Sequence, residues 1–133
     1  MQFNGLIPEL SVSDIEQSKS FYIDILGFCL VYERTEDQFA FISFGEAQIM
    51  IEEINGHWKT GELQYPLGRG VNFQIGTEDV EILANKLKSH NIKLFRKLTE
   101  SLYKCNGETI VEKELLVQDP DGYLLRFSQV IKI

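Results

Sequence analysis

Arg126 is the residue whose setting most constrains the chemistry open to this chain. It follows the turn Asp119-Pro120-Asp121-Gly122, in which Pro120 presets the first corner and Gly122 can take the left-handed backbone that closes it. In the strand that leaves this turn side chains alternate, so Tyr123, Leu125 and Phe127 share one face while Leu124, Arg126 and Ser128 share the wetter one. An arginine there supplies permanent charge and a fork of donors, and neither a nucleophile nor a base. The same parity in other strand-like segments groups Glu9 with Ile7 and Ser11, Glu52 with Gln48 and Met50, and Asn72 with Gln74. Acids and amides on such faces recognise a ligand by charge and hydrogen bonding.

Catalytic machinery of the common kinds is missing from the sequence. Neither Cys29 nor Cys105 has a histidine nearby in the chain, and no serine-centred elbow occurs. Gly68-Arg69-Gly70 is too short to cradle a phosphate and reads as a turn entering a strand. His57 falls in a linker and His90 at a helix end, both outside strands at metal-ligand spacing.

The elements that must position these residues occur twice. The first strand, Leu10 to Val12, runs into Ser13-Asp14-Ile15-Glu16, a capping box in which Ser13 caps a helix and Glu16 reaches back. Ile15, Tyr22, Ile25 and Leu26 make its apolar face and Gly27 ends it. Sixty-five residues later Phe73 to Val80 repeats the pattern, with Asp79 matching Asp14, Val80, Leu83, Ala84 and Leu87 at helical spacing, and Asn91 as the stop. Strand-like runs follow each helix: Phe28 to Arg34, Phe39 to Phe44 and Gln48 to Glu53, then about Lys93 to Lys97, Thr109 to Gln118 and Tyr123 to Val130.

Two βαβββ modules account for this order, one over about residues 1–54 and one over about 70–133, with a linker at about 55–69, all in a single domain of the α+β class. Each sheet is expected to turn its apolar face to its own helix and curl the other toward a shared cleft. Ile49, Ile51, Phe73 and Ile75 then face the helices, as do Leu6, Leu10 and Val12 together with Pro8, which suits an edge or exchanged strand because it donates nothing to a ladder.

Composition narrows the partners. The 133 residues carry a formal charge of −7, with 44% apolar and 25% charged side chains, as a soluble domain with a sizeable core would. The acid is concentrated: residues 1–67 hold 11 acidic against 3 basic side chains, residues 68–133 hold 9 against 10. A nucleic-acid partner would want a basic stripe, and no apolar run is long enough for a membrane span. Without a signal-peptide-like segment a cytoplasmic location is expected, and in that compartment Cys29 and Cys105 are expected to be packing residues, not a disulfide.

The paired modules, Val12-Ser13-Asp14 leading to Ser20-Phe21-Tyr22 and Leu26-Gly27-Phe28, and Asp119-Pro120-Asp121-Gly122-Tyr123 resemble the glyoxalase/bleomycin resistance/dioxygenase superfamily, also called the vicinal oxygen chelate fold. Within it Ile7-Pro8-Glu9-Leu10, Ile49-Met50-Ile51-Glu52-Glu53, Trp58-Lys59-Thr60-Gly61, Gly68 to Gln74 and Leu116 to Phe127 look like the bleomycin resistance branch. The resemblance implies curled mixed sheets around a cleft. In the superfamily's metalloenzymes His and Glu side chains from the first and last strands of each module hold one divalent metal. Carried over, those positions fall at about Ile7, Met50, Asn72 and Arg126, and this set does not suit a hard divalent cation. A shift of one step along the same face would bring in Glu9 or Glu52, acids expected to pair with Arg126.

By the same resemblance the chain is expected to sequester bleomycin-type drugs, which have a planar heteroaromatic tail and a positive terminus, without turnover and without a cofactor. Such proteins bind in grooves between the subunits of a homodimer. Trp58 is the leading stacking candidate, an indole in a polar linker. Glu9, Glu52, Gln48, Asn72, Gln74 and Arg126 would line the cleft, with Phe39, Phe41, Tyr65 and Tyr103 as further aromatics. Two other readings stay open: a glyoxalase-like metalloenzyme (isomerase, thiol transferase or dioxygenase) with an atypical metal site, and a binding module for another small ligand.

Overall fold

A computed structural model describes residues 1–132. Strand β1 (Glu9–Val12) leads into α1 (Ile15–Lys19), which continues as a π-helical turn over Ser20–Ile25. Strands β2 (Cys29–Arg34), β3 (Phe39–Phe44) and β4 (Ala47–Glu53) complete the first module. The second repeats it as β5 (Asn72–Gly76), α2 (Val80–Ser89), β6 (Arg96–Cys105), β7 (Glu108–Gln118) and β8 (Leu124–Lys132). The sheets have matching orders, β1-β4-β3-β2 and β5-β8-β7-β6, and in each the first strand pairs in parallel with the last while the other pairs are antiparallel.

The repeat extends to the helix starts. The Asp14 carboxylate accepts from the N–H groups of Glu16 and Gln17, and Asp79 does the same for Glu81 and Ile82. The next donor of each helix is taken from the last strand of its own module: Ile15 N–H by Glu53 and Val80 N–H by Gln129, both at 3.1 Å. Helix-end donors that would otherwise be orphaned are thus tied to the sheet. Asp14, and not the expected Ser13, is the cap. Ser13 is held outside the helix because its N–H donates to Asp121 Oδ2 at 3.0 Å, from the other module. The stops at Gly27 (φ 93°) and Asn91 (φ 56°) are as expected.

One apolar cluster joins both modules. Leu10, Val12, Ile49 and Ile51 from the first sheet and Ile75, Leu115, Val117, Leu125 and Phe127 from the second pack with Tyr22, Leu26, Val80 and Leu87 of the helices. The Phe44 and Phe127 rings meet edge to face across the two sheets at 5.6 Å. Each of the larger members contributes about 1.5–3 kcal/mol by leaving water.

At the centre of this contact is the Asp119 turn. Asp119 is buried, and its Oδ1 accepts the N–H groups of Asp121 and Tyr123 while its Oδ2 accepts the hydroxyl of the fully buried Tyr22 at 2.7 Å. The Tyr123 hydroxyl donates to Ser11 O, a second bond between the modules. Gly122 (φ 94°) is required twice over, since a Cβ there would come within 2.6 Å of the Pro66 backbone.

Several expectations are corrected. Leu6 is exposed, because β1 begins only at Glu9 and the alternation does not reach back past Pro8. Cys29 and Cys105 are both exposed: the first opens the edge strand β2 and the second lies at the tip of the β6–β7 hairpin. Strand β6 runs from Arg96 to Cys105, where the sequence suggests a shorter strand at Lys93 to Lys97. It is held by pairing with β7 and exposed almost throughout, so it carries no apolar alternation to read.

Burial pushes the Asp119 carboxyl up to about 6, against the downward pull of its three donors. A folded-state value above the unfolded 3.8 gives a contribution fully present below that pH and lost as pH rises through about 6. In chemical denaturation, Tyr22→Phe should cost about 1–3 kcal/mol at pH 7 by stripping a buried oxygen of its donor. The stability difference between wild type and Asp119→Asn should fall between about pH 4 and pH 6; a flat difference would contradict the buried, hydrogen-bonded carboxyl.

Candidate functional site

The face of the first sheet turned away from α1 is built of two cross-strand rows. Glu9 lies beside Met50, Met50 beside Phe41, and Phe41 beside Tyr32; Ser11 lies beside Glu52, Glu52 beside Phe39, and Phe39 beside Arg34. Register therefore puts two carboxylates at the β1–β4 side and aromatics toward β2. Tyr32 stacks on Phe41 (5.3 Å, 15°) and lies tilted against Phe39 at 5.8 Å. The Arg34 guanidinium sits 3.9 Å from the centre of the Phe39 ring and is paired with Asp37 at 3.1 Å. Phe3, from the segment before β1, meets Phe41 edge-on at 5.4 Å.

Register puts both acids on this face, close enough to influence one another. The Glu9 carboxyl is raised above the ordinary range by burial and by the nearby Glu52, while Arg34 and the indole N–H of Trp58 pull it down. Trp58, 64% exposed, thus reaches Glu9 from the loop after β4. Glu52 also accepts from Asn55 at 3.0 Å. The expected group of Glu9, Glu52, Phe39, Phe41 and Trp58 comes together here, although Phe39 and Phe41 are covered by Tyr32, Arg34 and Phe3 and are almost fully buried.

The other expected residues lie elsewhere. On the second sheet Arg126 Nη2 donates to Gln74 Oε1 at 2.6 Å and is 3.4 Å from Glu114, while Ser128 Oγ donates to Glu112. Arg126 thus draws its partners from its own sheet, and not from Glu9 or Glu52 as expected. The reason is register: Glu114 lies beside Ser128 on β8, one step along the same face from Arg126. Gln48, Asn72 and Gln74 do line one cavity between the modules, together with Leu6 and Pro8, whereas Glu9, Glu52 and Trp58 lie outside its lining. Gln48 binds the amino-terminal segment, and Asn72 is exposed on the edge strand β5. Tyr65 lies against the Asp119–Gly122 turn, and Tyr103 is on the outer part of the β6–β7 hairpin.

Sequence reasoning missed Tyr32, Arg34, Phe3 and Glu114. A bulge between Leu30 and Tyr32 resets the alternation of β2, so parity from Phe28 cannot assign Tyr32 and Arg34. Glu114 was hidden for another reason, since Leu115, Leu116 and Val117 are all buried and this end of β7 shows no clean alternation.

Residues 6–127 match the family model described as the Glyoxalase/Bleomycin resistance protein/Dioxygenase superfamily. The chain belongs to this superfamily. It is 32% identical over 130 residues to a protein named bleomycin resistance protein from Geobacillus stearothermophilus, covering 95% of this chain and 96% of the relative. It is 31% identical over 126 residues to a probable lactoylglutathione lyase from Synechocystis, covering 90% of each. Among solved structures, TioX from Micromonospora sp. ML1 superposes with a TM-score of 0.71 at 16% identity, over 96% of this chain and 98% of that one, which bears on the fold alone.

The superfamily's usual divalent metal does not fit the residues at the corresponding positions. Met50 has Glu9 as its neighbour on the first strand, and Arg126 has Gln74, so one carboxylate is all that the four side chains supply, opposed by a guanidinium. Ile7 lies before β1 and has no donor side chain, and Asn72 is solvent-facing. Among the described residues no three His, Cys, Asp or Glu are grouped as metal ligands.

The coupling of Glu9 to its neighbours is measurable by carboxyl NMR titration. Glu52→Gln should lower the Glu9 midpoint and Arg34→Ala should raise it; a midpoint insensitive to both would show that the three groups do not share a field.

Proposed function

We propose that the chain is a binding protein that captures a flat, cationic small molecule on the Glu9–Glu52–Trp58 face without making or breaking a bond. The observation that carries this is the placement of two carboxylates on one sheet face, Glu9 raised by burial and then by Glu52, beside an aromatic floor and an exposed indole. Acids draw the cation and rings take its flat part. That the Arg34 guanidinium sits 3.9 Å from the centre of the Phe39 ring supports the same reading, since the protein already places a cation of its own over this ring.

A bleomycin-type drug is the ligand class that agrees with both these chemical features and the name of the 32% identical relative. Sequestration then keeps the drug from its target. The reading includes a cytoplasmic location and a homodimer in which a second copy closes the open side of each face; no helix among the described residues is long and apolar enough to cross a membrane. The name of the Synechocystis relative favours a lyase instead, but the donor set disfavours the divalent metal of the superfamily's metalloenzymes.

Calorimetry with bleomycin at about 10 μM protein tests the proposal. Useful sequestration needs submicromolar affinity, about −8 kcal/mol or better. The expected result is one drug per chain, with Glu52→Gln weakening binding more at low salt than at high salt. No heat at this concentration would remove the drug-binding claim. In the same sample a dimer is expected by sizing with light scattering; a monomer would count against the shared groove.

A further inference from the structure

The aromatic floor of this face is closed, and what closes it is the protein's own chain. Phe41 points away from the helices yet is 1% exposed, while Phe3, packed against its ring edge, is itself 55% exposed. Apart from the Phe3–Phe41 contact, the segment that carries Phe3 is held by polar contacts. Asn4 N–H donates to Gln48 Oε1 at 2.7 Å, Gln48 Nε2 donates to Gln2 O at 2.9 Å, and Asn4 Nδ2 donates to Glu46 O. Met1 and Leu6 on either side are largely exposed. A strap with exposed hydrogen bonds and little buried apolar area is drawn from the low-stability end of a fold.

We propose that the Phe41 floor is a subsite for an aromatic ring which Phe3 fills in the unliganded protein, so that residues Met1–Asn4 compete with the ligand. This rests on the reading of the face as a binding site for a flat cation. An aromatic group entering beside Glu9 and Glu52 reaches Phe41 only when Phe3 leaves. Nothing in the module core moves with it, because the bonds of the strap end at Glu46 and Gln48, at the open side of β4. The fraction of molecules with the strap released scales the apparent affinity, and removing the competitor removes that factor.

The test compares wild type with Phe3→Ala and with a deletion of Gln2–Asn4, neither of which alters a buried side chain. Each is titrated with bleomycin and, separately, with proflavine, a flat aromatic cation. Both variants should bind proflavine more tightly than wild type, by about tenfold for a strap that is closed about nine-tenths of the time. Unchanged or weaker proflavine binding in either variant overturns the competition, weaker binding meaning that Phe3 is a wall of the site. No proflavine binding by either variant overturns the subsite itself. Bleomycin separates the two claims: tighter proflavine binding with no heat from bleomycin in any of the three proteins keeps the strap and removes the drug.

Discussion

The relative placement of the two modules depends on a single buried carboxylate. Asp119 stands where the β7–β8 turn of the second module meets the helix of the first, and its three donors come from both: two backbone N–H groups of its own turn and the Tyr22 hydroxyl. Burying an ionisable group costs several kcal/mol unless it is hydrogen-bonded. Burial pushes its carboxyl up to about 6 despite these donors, and the same hydrogen bonds link the two modules. With Asp121 holding Ser13 and Tyr123 holding Ser11, Asp119 fixes both where β8 starts and which way its alternation runs. Arg126 faces away from the core as a consequence.

From that constraint the two faces of each sheet acquire different tasks. The helix-side faces merge into one apolar cluster, and the opposite faces are left to polar and aromatic residues. On the second sheet those residues pair with one another, Arg126 with Gln74 and Glu114 and Ser128 with Glu112, although Arg126 Nε and Glu114 Oε2 are buried without a hydrogen bond. On the first, Glu9 and Glu52 share the face while Arg34 is paired with Asp37 over Phe39, and neither carboxylate has an ion-pair partner among the described residues. The superfamily's scaffold survives while the side chains suited to its metal have gone.

Much of this was legible in the residues. The repeat of strand, aspartate cap and helix identified both modules, and the period-two alternation of β4, β5 and β8 correctly separated Ile49, Ile51, Ile75 and Phe127 from Glu52, Gln74 and Arg126. Alternation failed where the backbone departs from it. The bulge in β2 hid Tyr32 and Arg34, and the residues before Pro8 left the ladder altogether, exposing Leu6 and freeing Phe3 to fold over the sheet. Long-range choices were also illegible. Arg126 had candidate acids on either sheet, and only the pairing of β7 with β8 decides for Glu114. Ser13 and Asp14 were both good caps by type, and a partner 108 residues away, Asp121, took the first.

The central claim is that this member of the superfamily recognises its ligand with carboxylates and rings and holds no metal. Elemental analysis of protein purified without chelator tests it most directly. The account predicts well below one equivalent of any transition metal per chain, because Ile7, Met50, Asn72 and Arg126 bring no carboxylate or imidazole to the inherited positions and no three His, Cys, Asp or Glu are grouped among the described residues. One equivalent of nickel, manganese, iron or zinc, retained through dialysis, would contradict it.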